Sequence, residues 1–258
     1  MTKEQNSFKR LLDIMDKLRE ECPWDKKQTM ESLRKLTIEE TYELADAIID
    51  GDMDEIKKEL GDILLHIVFY SKIGKEKSAF DINDVIEGIS DKLVYRHPHV
   101  FSDTKVKDSS EVENNWEALK LKEKKEKRVL DGVPVSLPAL VKANRIQEKV
   151  KGVGFDWEEK HQIWDKVFEE FRELRKEIQE NNQKRIEAEF GDLFFSLINA
   201  ARLYDIDPES ALERTNKKFT KRFNYLEEKT ISKGKSLHDM SLDDMNVIWE
   251  EAKQFDKK

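Results

Sequence analysis

One plan of side chains occurs twice in this chain. The stretch TIEETYELADAIIDGDMDEIKKELGDILLHIVFY at 37–70 carries Glu40, Glu43, Glu59 and Asp62. The stretch VFEEFRELRKEIQENNQKRIEAEFGDLFFSLINA at 167–200 carries Glu170, Glu173, Glu189 and Asp192, each 130 positions after its counterpart. In both copies the third acid comes sixteen positions after the second. DKLVYR (91–96) resembles KKFTKR (217–222), which aligns Lys92 with Lys218 and Arg96 with Arg222, and WEALK (116–120) resembles WEEAK (249–253). Repetition of this length points to two tandem copies of one structural unit. A chain of 258 residues has room for both. The expected division is a first domain over 1–123, a linker over 124–136 ending in a proline-containing stretch, and a second domain over 137–258.

Each copy reads as helical. FKRLLDIMDKLRE puts apolar residues at 8, 11, 12, 15 and 18 on one helical face. TIEETYELADAIID opens with Thr37 as an expected N-cap, with Glu40 three residues on, and stops at Gly51. MDEIKKELGDILLHIVFYSKI predicts a long helix ending at Gly74, apolar on nearly every side from Ile63 and so expected to be buried. Asp81 or Asn83 would cap INDVIEGISDKLVYR, which Pro98 ends. No run alternates like a strand, and only 9 Gly and 5 Pro interrupt the chain, so the expected class is all-α. The charge run at 120–128 reads as a solvated helix end.

Composition narrows the function classes. A net charge of −8 gives no overall basic field to hold nucleic acid. A single cysteine, Cys22, excludes an internal disulfide or a Cys-rich zinc site and fits a reducing cytoplasm. The N-terminus shows no apolar signal core, and the longest apolar run is far short of the ~20 residues a membrane span needs. A soluble, cytoplasmic protein without nucleic-acid or membrane partners is expected.

In a chain with 40% charged residues, most acids need no account beyond a solvated face. The four spaced acids are different. Two carboxylates ~5 Å apart at an effective dielectric of ~20 repel by about 3 kcal/mol. No nearby run of Lys or Arg offsets that in the first copy, and a divalent cation could. Carboxylates without paired His or Cys suit Mg2+, with Mn2+ as the second choice. The Glu-x-x-His pattern of di-iron carboxylate bundles is absent, since Asp62 and Asp192 follow Glu59 and Glu189. His66, replaced by Ser196 in the second copy, reads as a hydrogen-bonded core histidine, and Asp62 as drawn into the interior. The pairs Lys92/Arg96 and Lys218/Arg222 each share a helix face and could grip a polyphosphate.

The acid pattern, together with CPWD (22–25), LTIEETYEL (36–44), ELGDILLHIVFY (59–70), RHPHVF (96–101), VGFDW (153–157) and EFGDLFFSLINA (189–200), resembles the MazG family of nucleoside triphosphate pyrophosphohydrolases in its two-domain form. The resemblance covers essentially the whole chain. It implies tandem four-helix units completed by homodimerisation, and Mg2+-dependent hydrolysis of NTPs and dNTPs to the monophosphate and pyrophosphate. By position it implies metal ligation by Glu170, Glu173, Glu189 and Asp192, and by Glu40, Glu43, Glu59 and Asp62 in the first copy. Lys166, Lys218 and Arg222 would contact the triphosphate and Trp249 the nucleotide, with Lys92 and Arg96 as the first copy's basic pair. Glu169 or Glu39 is the expected proton acceptor. The same offset sets Lys166 against Leu36 and Arg185 against Glu55, so the second copy is expected to attract an anionic substrate better. Two other readings compete. One is a nucleotide-selective dUTPase or dCTPase of the wider all-α group, and the other is a non-catalytic helical adaptor.

Overall fold

The computed structural model describes residues 2–257 apart from 103, 105, 109–111, 113–115, 117, 118, 120–127, 233 and 235. Among the described residues there are helices and no strands. The chain divides into two compact units, Met1–Glu111 and Val112–Lys258.

The first unit contains α1 (Lys3–Glu21), α2 (Met30–Asp50), α3 (Met53–Glu76), α4 (Ile82–Arg96) and the short α5 (Pro98–Phe101). Its core joins Met15 of α1, Leu33 of α2 and Val68, Phe69 and Ile73 of α3. α2 starts earlier than the Thr37 signal indicates. Thr29 is its N-cap, and Thr29 and Ser32 bond each other's backbone N–H reciprocally at 3.1 and 2.9 Å. Thr37 lies mid-helix, where its hydroxyl bonds the Leu33 carbonyl at 3.1 Å and Tyr70 Oη at 2.8 Å. The apolar periodicity of Met30, Leu33 and Leu36 carries the helix upstream through the apparent cap, which leaves Glu40 with no capping duty.

α3 passes through Gly74 and ends at Glu76. Gly74 is there for close packing: a β-carbon on it would sit 2.8 Å from the Phe80 carbonyl oxygen. The expected burial of α3 holds on one side only. Leu60, Leu64 and Ile67 are exposed on the other. α4 is capped by Asp81, one of the two candidates its sequence offers.

The second unit contains α6 (Ala139–Lys151), α7 (Ile163–Glu180), α8 (Gln183–Leu203), α9 (Pro208–Ile231) and α10 (Leu242–Ala252). α7 and α8 pack through Ile163, Val167, Ala200 and Leu203. Of the stretch expected to be a linker, 124–127 lies outside the described residues, as does nearly all of the basic run. Val129–Gly132 forms a 3-10 turn whose Val129 carbonyl accepts a bond from the buried Lys149 at 3.3 Å. No helix among the described residues is long and apolar enough to cross a membrane.

Candidate active site

The sixteen-residue gap has a geometric cause. Gly51 lies midway between Glu43 and Glu59, and Asn181 midway between Glu173 and Glu189. Both turn residues take the left-handed conformation, at φ 71° and 55°, which Gly and Asn tolerate. Asp52 and Asn182 then cap the following helix. Eight residues down one helix and eight back along the next return the chain to the same level. The acids on either side of the turn therefore face each other.

Oxygens of Glu40, Glu43 and Glu59 lie within 4.8 Å of one another, and so do those of Glu170, Glu173 and Glu189. Asp62 and Asp192 stand beside these trios and act on them through charge. The carboxylate drawn deepest into the first unit is Glu59, 3% exposed, while Asp62 is only half-buried. Glu59 faces the partner helix of the hairpin, and Asp62 lies one turn further along. Burial first, then the charges of Asp62 and Glu43 and a hydrogen bond shared with Glu59, push the Glu40 carboxyl above the ordinary glutamate range. Glu189 is raised likewise, by desolvation first and then by the charges of Glu173, Asp192 and Glu170.

The donor set fits a hard divalent cation. It consists of oxygens alone, and the Oε2 atoms of Glu59 and Glu189 are shielded from solvent with no hydrogen-bond partner. A buried carboxylate oxygen left in that state is costly, and a cation between the helices would satisfy it.

The cations are arranged differently in the two units. In the first, Lys58 Nζ bonds Glu59 Oε1 at 3.1 Å and Glu55 Oε2 at 3.0 Å. A single lysine, Lys58, thus partly offsets the acids where no run of Lys or Arg was expected to. Lys92 of α4 is exposed and Arg96 is buried. In the second unit Lys166 Nζ lies 2.6 Å from Glu170 Oε1 and 3.1 Å from Glu169 Oε1, and these bonds hold its pKa well above the usual lysine value. Arg185 sits 3.4 Å from Glu177 Oε1.

Glu177 was not singled out from sequence. It is 6% exposed, its Oε2 is shielded and without a partner, and it continues the stripe of Glu170 and Glu173 one turn further. Its counterpart at offset 130 is Ala47, so comparison of the copies passes over it. Part of the charge that Arg185 adds is therefore already matched.

Arg222 and Trp249 come together: the guanidinium carbon is 5.6 Å from the ring centroid, and Phe219 packs on the same indole with centroids 5.0 Å apart. Lys218 is exposed on α9 and Glu39 on α2. His66 is buried, but its Nδ1 has no hydrogen-bond partner, so the expected bond is missing there. Burial pushes its pKa down against the pull of Asp62. Lys166, Glu170, Glu173 and Asp192 are among the residues that line a cavity of about 850 Å³ in the second unit.

The MazG nucleotide pyrophosphohydrolase domain model matches residues 28–101 and again 158–226, which take in both acid hairpins. The nucleoside triphosphate pyrophosphohydrolase of Escherichia coli K12 is 42% identical over 257 residues, covering 96% of this chain and 98% of the relative. The nucleoside triphosphate pyrophosphohydrolase/pyrophosphatase MazG of Thermotoga maritima is 41% identical over 254 residues, covering 97% of each. A crystal structure of a mazG-related protein from Thermotoga maritima aligns with 43% of this chain and 97% of that one, at 27% identity and a TM-score of 0.39.

Proposed function

The chain belongs to the MazG nucleotide pyrophosphohydrolase family, and from that premise we propose that it hydrolyses NTPs and dNTPs to the monophosphate and pyrophosphate, mainly in its second unit. It is a hydrolase of phosphoric anhydride bonds. The observation that carries the finer reading is the α7–α8 hairpin. It combines a convergent acid trio, a shielded Glu189 oxygen and Lys166 in the lining of the cavity.

In this reading Glu170, Glu173, Glu189 and Asp192 hold Mg2+, with Mn2+ as an alternative. Glu40, Glu43, Glu59 and Asp62 do the same in the first unit. The bound ion supplies charge screening of the polyphosphate and stabilises the oxygens of an in-line displacement. Lys166 leaves its two carboxylates for the more highly charged triphosphate, where Lys218 and Arg222 join it. Trp249 contacts the nucleotide, and its ring face also holds the Arg222 guanidinium. Water adds to the α-phosphorus, the α–β anhydride bond breaks, and the water's proton passes to the exposed Glu169. Attack at the α-phosphorus follows from the family.

Glu39 holds the corresponding place in the first unit, but Leu36 stands where Lys166 would be. Lys92 and the buried Arg96 form the first unit's basic pair. A homodimer, in a reducing cytoplasm, completes the proposal. Pyrophosphate release from each of the common NTPs and dNTPs, with and without Mg2+, tests it. Broad, Mg2+-dependent release is expected. One strongly preferred nucleotide would instead indicate a dUTPase- or dCTPase-type enzyme, and no release together with no Mg2+ binding would indicate an adaptor.

A further inference from the structure

Glu177 is buried next to the acid trio of the second unit without being part of it. It follows Glu170 and Glu173 along one face of α7. Its charge reaches the Glu189 carboxyl across the hairpin. It lies outside the group of oxygens that converge within 4.8 Å, so a cation held by the trio leaves it without a partner. Its Oε1 instead meets Arg185 Nη1 of α8 at 3.4 Å, and its shielded Oε2 has no hydrogen-bond partner among the described residues.

Arg185 is as poorly placed, by local rules, as the acid it meets. It stands in the first turn of α8, after the Asn182 cap and Lys184, and that turn contains no acid. A helix start favours anions, and cations there oppose the helix dipole. The equivalent helix of the first unit follows the ordinary rule: Asp52 caps α3, and Asp54 and Glu55 fill its first turn. The two copies differ by a matched exchange. Ala47 stands where Glu177 would be and Glu55 where Arg185 would be, so the first unit lacks both halves of the pair. The pair carries no net charge, so its use lies in direction. The Arg185 side chain is 64% exposed, and a guanidinium holds five N–H donors in one plane. One edge is tied to Glu177, and the rest of the fork is open to solvent.

Lys166 and Arg185 bracket the trio. Lys166 Nζ rests on Glu170 and Arg185 on Glu177. Between those two acids α7 rises by about 10 Å, at about 1.5 Å per residue. A chain of three phosphates lying along the carboxylate stripe can bridge such a separation. We propose that Glu177 is a positioning residue, which anchors Arg185 at the turn end of the hairpin so that the guanidinium donates to the phosphate chain of the substrate, at the opposite end from Lys166. The proposal rests on the pyrophosphohydrolase reading, which lays that chain on the acid trio. Lys166 gives up its carboxylates to reach the substrate, whereas Arg185 keeps Glu177. The arginine is thereby ordered before the substrate arrives, which lowers the cost of binding.

The test compares Glu177→Gln, Arg185→Ala and the double variant in the full chain. The amide keeps the shape of the buried side chain, and Arg185→Ala changes an exposed one. The sign of the effect separates two roles. A carboxylate that is only a buried anion near the site repels the substrate, and its neutralisation lowers KM. A positioning carboxylate gives the reverse. KM for NTPs is expected to rise about tenfold in each single variant, the scale of one charge-assisted hydrogen bond, with kcat nearly unchanged. The double variant is expected to be no worse than either single one, because both remove the same contact. Calorimetric titration with inorganic tripolyphosphate and Mg2+ is expected to show the same loss of affinity without turnover. An unchanged or lower KM in Glu177→Gln overturns the proposal, as does an unchanged KM in Arg185→Ala or a double variant in which the two losses add. Absence of NTP hydrolysis by the wild-type chain would count against the pyrophosphohydrolase reading alone, because the tripolyphosphate titration would still decide whether Glu177 anchors Arg185.

Discussion

Glu40 and Glu189 show what convergence of the acids does to individual groups. Both carboxyls bind protons more tightly in the folded, metal-free protein than in an unfolded chain, where a glutamate titrates near about pH 4.3. A raised folded-state pKa contributes stability that is fully present below the unfolded value and is lost as pH rises through the folded one. A cation competes with those protons, so its binding strengthens over the same window. The Mg2+-induced rise in Tm is therefore expected to be smaller at about pH 5 than at about pH 8. A Tm rise that does not vary with pH would show that neither carboxyl belongs to the cation site.

At the scale of elements, the acid hairpin is set by its turn and the α3–α4 corner by Gly74. Adding a methyl group there forces Phe80 and its backbone to move. Gly74→Ala is expected to destabilise the first unit by about 1–3 kcal/mol, the usual range for overpacking, seen as an earlier unfolding transition. No change would show that Phe80 relaxes freely.

Most of this level was legible in the sequence, because helical periodicity, the Asp81 cap and the matched offsets are local signals. What escaped had non-local causes. The Thr37 pattern imitates a cap and competes with the Thr29 cap and the Met30, Leu33 and Leu36 periodicity upstream, and the packing of Leu33 on α3 decides between them. Gly74 looked like a terminator because Phe80 is brought to it by the fold. Glu177 has no counterpart acid in the first copy, so comparison of the halves could not reveal it. Phe155 and Trp157 were visible in VGFDW, but the Asp156–Arg202 pair that ties this loop to α8 spans 46 positions of sequence.

At the scale of the whole molecule, the two units repeat an exposed feature as well as a buried one. Leu60, Leu64 and Ile67 on α3, and Phe190, Phe194 and Leu197 on α8, form equivalent apolar stripes, each a helix turn apart and each left open. Contiguous apolar faces of this kind mark association surfaces. The proposed homodimer covers them. Light scattering is expected to report a dimer for the native chain and a monomer for Leu64→Glu combined with Phe194→Glu, with helicity retained. A native monomer would remove dimerisation from the account.

Under the proposed function the two units share one carboxylate geometry but not one workload. Lys166, the exposed Glu169 and the cavity favour the second. Side-by-side pyrophosphate release by Glu189→Gln and Glu59→Gln in the full chain, with saturating Mg2+, measures this directly. Glu189→Gln is expected to lose at least about 100-fold in kcat, as a displaced charge at the reacting centre should, while Glu59→Gln keeps most of the native rate. Loss of most activity in Glu59→Gln, with little in Glu189→Gln, would place the working site in the first unit and contradict the assignment.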